Sequence, residues 1–328
     1  MSKISKILLR ASISFGLIWI VFYKTKLLES AGRDELFAMF VATSMPFLIV
    51  SLLIGVWLNF LSSLKWWILL RARGVPASFT YIWALYYIGK FYNLFLPTSV
   101  GGDIARVYGL GTSTGQTAEA AASVIVDRFT GMITLFVLAG VTLSLGFAPP
   151  GLLVSTTGMI VAVATAVGLT WLFLGRSPAK ALESMSTRAR FLQRVSSKMI
   201  EVRSTILAYG TSSILVPAFC FSALFYFFSI INVWVSALVF ADAVPLRDVS
   251  IAVPTIMVVM NLPISIGGIG LMELAYTQGF EAIRLGTVLG LSTALLMRAK
   301  TILDAVIGGG LHLLLGLSTR SRDRDPAA

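Results

Sequence analysis

Two short stretches carry residue types suited to holding an anion. Pro97-Thr98-Ser99-Val100-Gly101-Gly102 and Pro263-Ile264-Ser265-Ile266-Gly267-Gly268 share the pattern Pro-x-Ser-[Val/Ile]-Gly-Gly, with their prolines 166 residues apart. A turn of this kind exposes backbone N–H groups and a hydroxyl. Where it ends a half-helix, the unsatisfied N–H groups of the helix terminus make an anion-favouring site. The chemistry predicted is therefore recognition of a phosphate or other anionic head group. Asn93 and Asn261 lie upstream of the two turns, each beside a Leu. Charged residues follow each turn. Lys90, Arg106, Arg128, Arg298 and Lys300 are the candidate cations, while Asp103, Asp127 and Glu273 would pair with them or accept a cationic group or sugar hydroxyl. The candidate substrate-binding set is thus Lys90, Asn93, Pro97, Ser99, Gly101, Gly102, Asp103, Arg106, Asp127 and Arg128 in the first half, and Pro263, Ser265, Gly267, Gly268, Glu273, Arg298 and Lys300 in the second.

The elements that must position these residues are membrane helices. Of 328 residues, 57% are hydrophobic and 12% charged, and the mean hydropathy is +0.87. Soluble domains carry about 25% charged residues, and disordered chains need low hydrophobicity, so both classes are excluded. One Cys, Cys220, excludes a disulfide framework and a Cys-based metal cluster, and one His, His312, argues against a His-rich metal site or a Ser-His-Asp triad. No cofactor and no metal is expected.

A span needs roughly 20 apolar residues, because inside the bilayer the segment must satisfy its own backbone. Residues 129–175 carry no charge, and Phe147-Ala148-Pro149-Pro150-Gly151 divides them into a predicted helical hairpin. Residues 204–241 are likewise uncharged, and 36–64 hold a span from about Met45 with an amphipathic approach before it. Ala11 to Tyr23 is short but flanked by basic residues able to snorkel, and the last span runs from about Lys300 to Leu317. Lys65, Arg71 and Arg73 read as snorkelling span ends, and Trp66 and Trp67 as an aromatic belt. The prediction is an all-α polytopic membrane protein, a single domain over 1–328, with about six to eight transmembrane helices and two re-entrant or broken-helix segments, 74–128 and 249–299.

Net charge fixes an expected orientation. Residues 1–10 and 65–73 each contribute +3, the stretch 176–203 contributes +5, and the tail 318–328 adds +1, whereas 24–35 sums to zero and 242–248 to −1. Basic flanks stay in the cytoplasm, so both termini are expected inside, with 176–203 a basic connector on anionic lipid and no nucleic-acid partner. The same counting makes 74–128 leave and return on the inner face and 249–299 on the outer face. Related motifs entering from opposite sides define an inverted-topology repeat, and paired interrupted segments mark a transporter's substrate site.

Taken in order, Leu64-Lys65-Trp66-Trp67-Ile68-Leu69-Leu70-Arg71-Ala72-Arg73-Gly74, Asn93 through Asp103 with Arg106, Val126-Asp127-Arg128, and Leu262 through Gly270 with Glu273 resemble the lysylphosphatidylglycerol synthase transmembrane family, also called the flippase-like domain family. The resemblance covers nearly the whole chain. The family includes the membrane half of the bacterial multiple peptide resistance factor, which flips aminoacylated phosphatidylglycerol. Other relatives are associated with hopanoid pathways or fused to glycosyltransferases. Only eleven residues follow Leu317 here, so the resemblance implies lipid translocation or handling in the cell (plasma or inner) membrane, not lipid aminoacylation. Lipid is the expected partner, with lipid-biosynthesis enzymes as further candidates.

Two other readings share these residues. A membrane-embedded enzyme or subunit of glycolipid or hopanoid synthesis would use Asp103, Asp127 or Glu273 as general base, but the one Asp-x-Asp, Asp323-Arg324-Asp325, lies in the short charged tail and no nucleotide-binding loop is present. An ion- or proton-coupled solute transporter would use the same repeat without lipid. The orientation is tested by cysteine labelling in a Cys220→Ser background. Ser30→Cys should react with an impermeant maleimide in intact cells and Ser197→Cys only after permeabilisation; the reverse pattern would overturn the assignment.

Overall fold

In the computed structural model the described residues are 3–95, 101–144, 204–205, 207–262 and 265–322. They form ten α-helices and no strand: α1 Lys3–Lys24, α2 Ser30–Val41, α3 Met45–Ala72, α4 Phe79–Phe95, α5 Gly101–Thr114, α6 Thr117–Ser144, α7 Ser212–Leu238, α8 Leu246–Met260, α9 Leu271–Ala282 and α10 Thr287–Arg322. Pro97, Ser99 and Pro263, the expected turn at 147–151 and the basic connector 176–203 lie outside the described residues.

Four of these helices are long and apolar enough to cross a bilayer, namely α3, α6, α7 and α10, and α1 carries a shorter apolar stretch, Ser12–Lys24. α3 shows why such a helix belongs in lipid. Its start is set by Ser44 in extended conformation and by Pro46, whose missing N–H costs nothing in the first turn. Leu58, Leu61 and Leu69 on α3 are buried, yet Met45, Ile49, Leu53 and Val56 on another face are exposed large hydrophobics. An apolar stripe of that length facing outward is stable only against hydrocarbon or another protein.

α4, α5, α8 and α9 have 17, 14, 15 and 12 residues. At about 1.5 Å per residue none reaches across the roughly 30 Å hydrocarbon core with margin. α4 packs against α5 and α8 against α9; Gly101-Gly102 open α5, and Gly267-Gly268 lie in a short turn, Ile266–Gly268, ahead of α9. Each pair also builds a core. Around the first hairpin, Trp66, Leu70, Ile82, Leu85, Leu110 and Val124 cluster; around the second, Val233, Val253, Ile256, Tyr276 and Phe280 do so.

The two halves repeat position by position. α6 and α10 begin at Thr117 and Thr287, 170 residues apart, each just after a turn containing a positive-φ glycine, Gly115 (φ 73) and Gly286 (φ 87). Gly109 and Gly279, also 170 apart, each face an aliphatic side chain of the partner helix. A Cβ at either would lie 2.6 Å from Leu85 Cδ2 or Ile256 Cδ1.

Both long helices extend further than the charge-free stretches imply. α6 starts twelve residues before Phe129 and α10 thirteen before Lys300, so Asp127, Arg128, Arg298 and Lys300 lie inside helices rather than at their mouths. α10 crosses α4 closely at Gly308, where a Cβ would strike the Tyr87 carbonyl. Gly308→Ala should therefore destabilise the protein by about 1–3 kcal/mol through overpacking. Gly55→Ala on α3, with nothing within 4 Å, should be neutral or slightly stabilising. Thermal unfolding in detergent measures both, and an unaffected Gly308 variant would contradict the crossing.

Candidate functional site

α4, α5 and α6 bring the first-half charges together. Asp103 sits in the first turn of α5, and Arg106 one turn later donates from Nη2 to Asp103 Oδ1 at 2.7 Å. Arg128 of α6 donates from Nε to Asp103 Oδ2 at 2.8 Å. Asp127, its neighbour, takes Lys65 Nζ of α3 on Oδ1 at 3.0 Å and has Arg106 Nη1 3.6 Å from Oδ2. Lys65 also donates to the Asp127 carbonyl at 2.8 Å. The Arg106 guanidinium lies between the Trp66 and Tyr86 rings, 4.8 and 4.9 Å from their centroids. Stacking of that kind suits a weakly hydrated planar cation. The result is a five-membered network, Lys65, Asp127, Arg106, Asp103 and Arg128, carrying one more positive than negative charge.

Lys65 and Trp66 depart from the sequence reading. Lys65 is buried against Asp127 instead of snorkelling, and Trp66 is fully buried under Arg106, its Nε1 donating to Ser123 Oγ at 2.9 Å, instead of lying in an aromatic belt. The physical reason is that α6 supplies a counter-ion which the local sequence of α3 does not reveal. The signal was the spacing: Leu58, Leu61, Lys65 and Leu69 recur every three to four residues on one helix face, and all are buried. Arg71 stays exposed with its guanidinium 5.3 Å over Trp67. Arg73 pairs with Glu119 at 3.1 Å, and burial beneath that pair pushes the Tyr209 hydroxyl above the usual phenol range.

Gly101 and Gly102 are buried at the α5 N-terminus, and Asn93 Oδ1 accepts from the Gly102 N–H at 2.7 Å. A Cβ on Gly102 would strike the Gly89 carbonyl of α4, so the Gly-Gly pair permits the backbone approach that closes the hairpin. Lys90 reaches away from the network, to Asp304 Oδ2 of α10 at 2.7 Å and to Asn59 Oδ1, while Asn59 Nδ2 donates to Asp304 Oδ1 at 3.1 Å. Beside the network lies an open cavity of about 410 Å³. Small-molecule sites run roughly 300–1,000 Å³. Lys65, Lys90, Asn93, Gly102, Asp103, Arg106, Asp127 and Arg128 line it, together with Phe221 and Phe225 of α7, Met257 and Met260 of α8, Asn261 just after α8, and Met297 of α10.

The second-half charges form a separate, closed set outside the cavity lining. Glu273 Oε2 accepts from the Gly270 N–H at 2.8 Å and caps α9. Arg298 donates from Nε and Nη2 to Glu273 at 2.9 and 3.0 Å, from Nη1 to the Gly267 carbonyl at 3.0 Å, and from Nη2 to the Gly268 carbonyl at 2.8 Å. Arg298 thus staples the second turn to α10. Ser265 Oγ is buried without a hydrogen-bond partner among the described residues. Lys300 is buried and donates to Ser51 O, Asn232 Oδ1 and Ser236 Oγ at 3.2, 2.9 and 2.8 Å, tying α10 to α3 and α7 with no carboxylate in ion-pair range among the described residues. Of the second-half residues anticipated for binding, none that is described lines this cavity, and Gly267, Gly268, Glu273, Arg298 and Lys300 are bonded within the protein. Asp103 with Arg128 and Glu273 with Arg298 are each separated by 25 residues.

A bundle of membrane-crossing helices, two interrupted hairpins and a charge-lined cavity at one of them define a polytopic α-helical membrane protein built as an internal repeat. The chain matches the family described as Lysylphosphatidylglycerol synthase TM region over residues 7–309, and it belongs to that family. No curated protein and no solved structure matches it.

Removing one partner of a buried pair leaves the other charge uncompensated at a cost of about 3–5 kcal/mol. Arg298→Gln should lose stability on that scale, and Glu273→Gln combined with Arg298→Gln should recover part of it. Unfolding of the two single variants and the double variant in detergent gives the coupling; additive losses would show that the pair does not act as one.

Proposed function

We propose that the protein translocates a lipid, its polar head group passing through the cavity at the first interrupted hairpin while the hydrocarbon tail stays in the surrounding bilayer. The observation that carries the reading is the combination, in one cavity, of charged residues from α3 to α6 and Phe and Met residues from α7, α8 and α10. A head group leaving water loses hydration worth several kcal/mol, and fixed ions at membrane depth offset that loss along the path. The apolar residues leave a tail no reason to follow into water. Membership of a family tied to lipid modification or translocation supports lipid over a small solute. The second hairpin, stapled by Arg298, supplies the rigid half against which the first can move, in the inverted-repeat manner expected for both termini cytoplasmic in the cell membrane.

The test is reconstitution into liposomes carrying fluorescent phospholipid, glycolipid or isoprenoid phosphate. The protein should speed exchange between leaflets, and Arg128→Ala or Asp103→Ala should reduce the rate at least tenfold. Absence of acceleration across the whole panel would sink the proposal, and gradient-driven uptake of a solute without lipid dependence would replace it with a solute transporter.

A further inference from the structure

The cavity's hydrogen-bonding ledger is one-sided. Both oxygens of Asp103 are taken, Oδ1 by Arg106 and Oδ2 by Arg128. Both oxygens of Asp127 face protein cations, Lys65 at 3.0 Å and Arg106 Nη1 at 3.6 Å. Among the described residues lining the cavity, an ammonium head group would therefore meet only carboxylates that already face protein cations, although the pair at 3.6 Å is an ion pair without a hydrogen bond. Donors, by contrast, remain. Arg106 Nη1 is buried 3.6 Å from Asp127 Oδ2 and makes no hydrogen bond among the described residues. Arg128 spends only Nε on Asp103, its side chain is 45% exposed, and among the described residues nothing accepts from its two Nη groups.

The molecule supplies its own comparison. Arg298 stands at the position in the second half that Arg128 holds in the first, 25 residues after its carboxylate. There the same fork is filled: Nη1 and Nη2 grip the carbonyl oxygens of Gly267 and Gly268. A fork unfilled among the described residues, beside a surplus positive charge, suits two closely spaced anionic oxygens, which a phosphate or a carboxylate provides and a single carbonyl or hydroxyl does not.

We infer that the cavity binds a lipid phosphate with no balancing amine, its oxygens held by the Arg128 fork, and that the second half, its fork closed by its own turn, takes no ligand. This rests on the lipid-translocase reading for the tail and on the donor geometry alone for the phosphate. Phe221, Phe225, Met257 and Met260 in the cavity lining favour a phosphate attached to hydrocarbon over the free ion.

The test is binding to the purified full chain in detergent, read by melting temperature and native mass spectrometry, with dihexanoyl phosphatidic acid, dihexanoyl phosphatidylglycerol, dihexanoyl phosphatidylcholine and inorganic phosphate as probes. The two anionic lipids should bind at least tenfold more tightly than the choline lipid. Arg128→Gln should remove that preference, and Arg128→Lys, which keeps the charge but loses the fork, should retain a part of it. Since Asp103 keeps Arg106 as partner in both variants, the Lys form serves if the Gln form does not fold. Equal binding of choline and anionic lipids within twofold, or unchanged affinity in the position-128 variants, overturns the phosphate site. Inorganic phosphate matching the lipids overturns the lipid source and leaves an oxyanion site. Phosphate-selective binding without accelerated exchange in liposomes upholds this inference while overturning translocation, and exchange without selective binding does the reverse.

Discussion

An ionised side chain in hydrocarbon must bring its counter-ion with it, and most of this protein's architecture follows from that. Asp103 and Asp127 are tolerable at membrane depth because Arg106, Arg128 and Lys65 converge on them from three helices. Convergence in turn requires α5 to stop and start inside the bundle. Its N-terminus is placed by the Gly-Gly turn and by Asn93 accepting from Gly102. The Trp66 and Tyr86 rings lie against the Arg106 guanidinium that faces both carboxylates. The interrupted hairpin is therefore the means by which a charged set is assembled in an apolar medium.

The second half meets the same constraint differently. Glu273 and Arg298 compensate each other, and the remaining donors of Arg298 go to the turn's carbonyls, so the set is saturated by protein alone. The first half has one cation more than it has anions, and its unspent donors face a cavity. Among the described residues, one copy of the repeat is closed by its own bonds and the other borders a cavity. Lys300, held by neutral oxygens on α3 and α7, and the Lys90–Asp304–Asn59 set add further bonds across α10.

Much of this is readable along the chain, and where it is not the reason is specific. The 170-residue register of Asp103 with Glu273, Gly109 with Gly279, Thr117 with Thr287 and Arg128 with Arg298 lies in plain sight, masked only because the turns themselves align at 166. Four additional residues after the second Gly-Gly let Gly270 serve as helix cap for Glu273. Span limits set by charge-free windows fall short for α6 and α10, since a window counts Asp127 or Arg298 as a cost without seeing the partner that cancels it.

Composition, hydropathy and the duplicated Pro-x-Ser-x-Gly-Gly turn by themselves determined a helical membrane protein with two interrupted segments, because apolar length and helix-breaking residues are local properties that no packing can reverse. Which charges pair, and so which remain unspent, was decided only by tertiary structure. Arg128 and Arg298 are indistinguishable as sequence, each an arginine in an apolar helix 25 residues beyond an acid. Among the described residues, one fork closes on two carbonyls and the other borders a cavity. Ion pairing depends on distances between helices remote in the chain, and those distances exist only once the helices have packed.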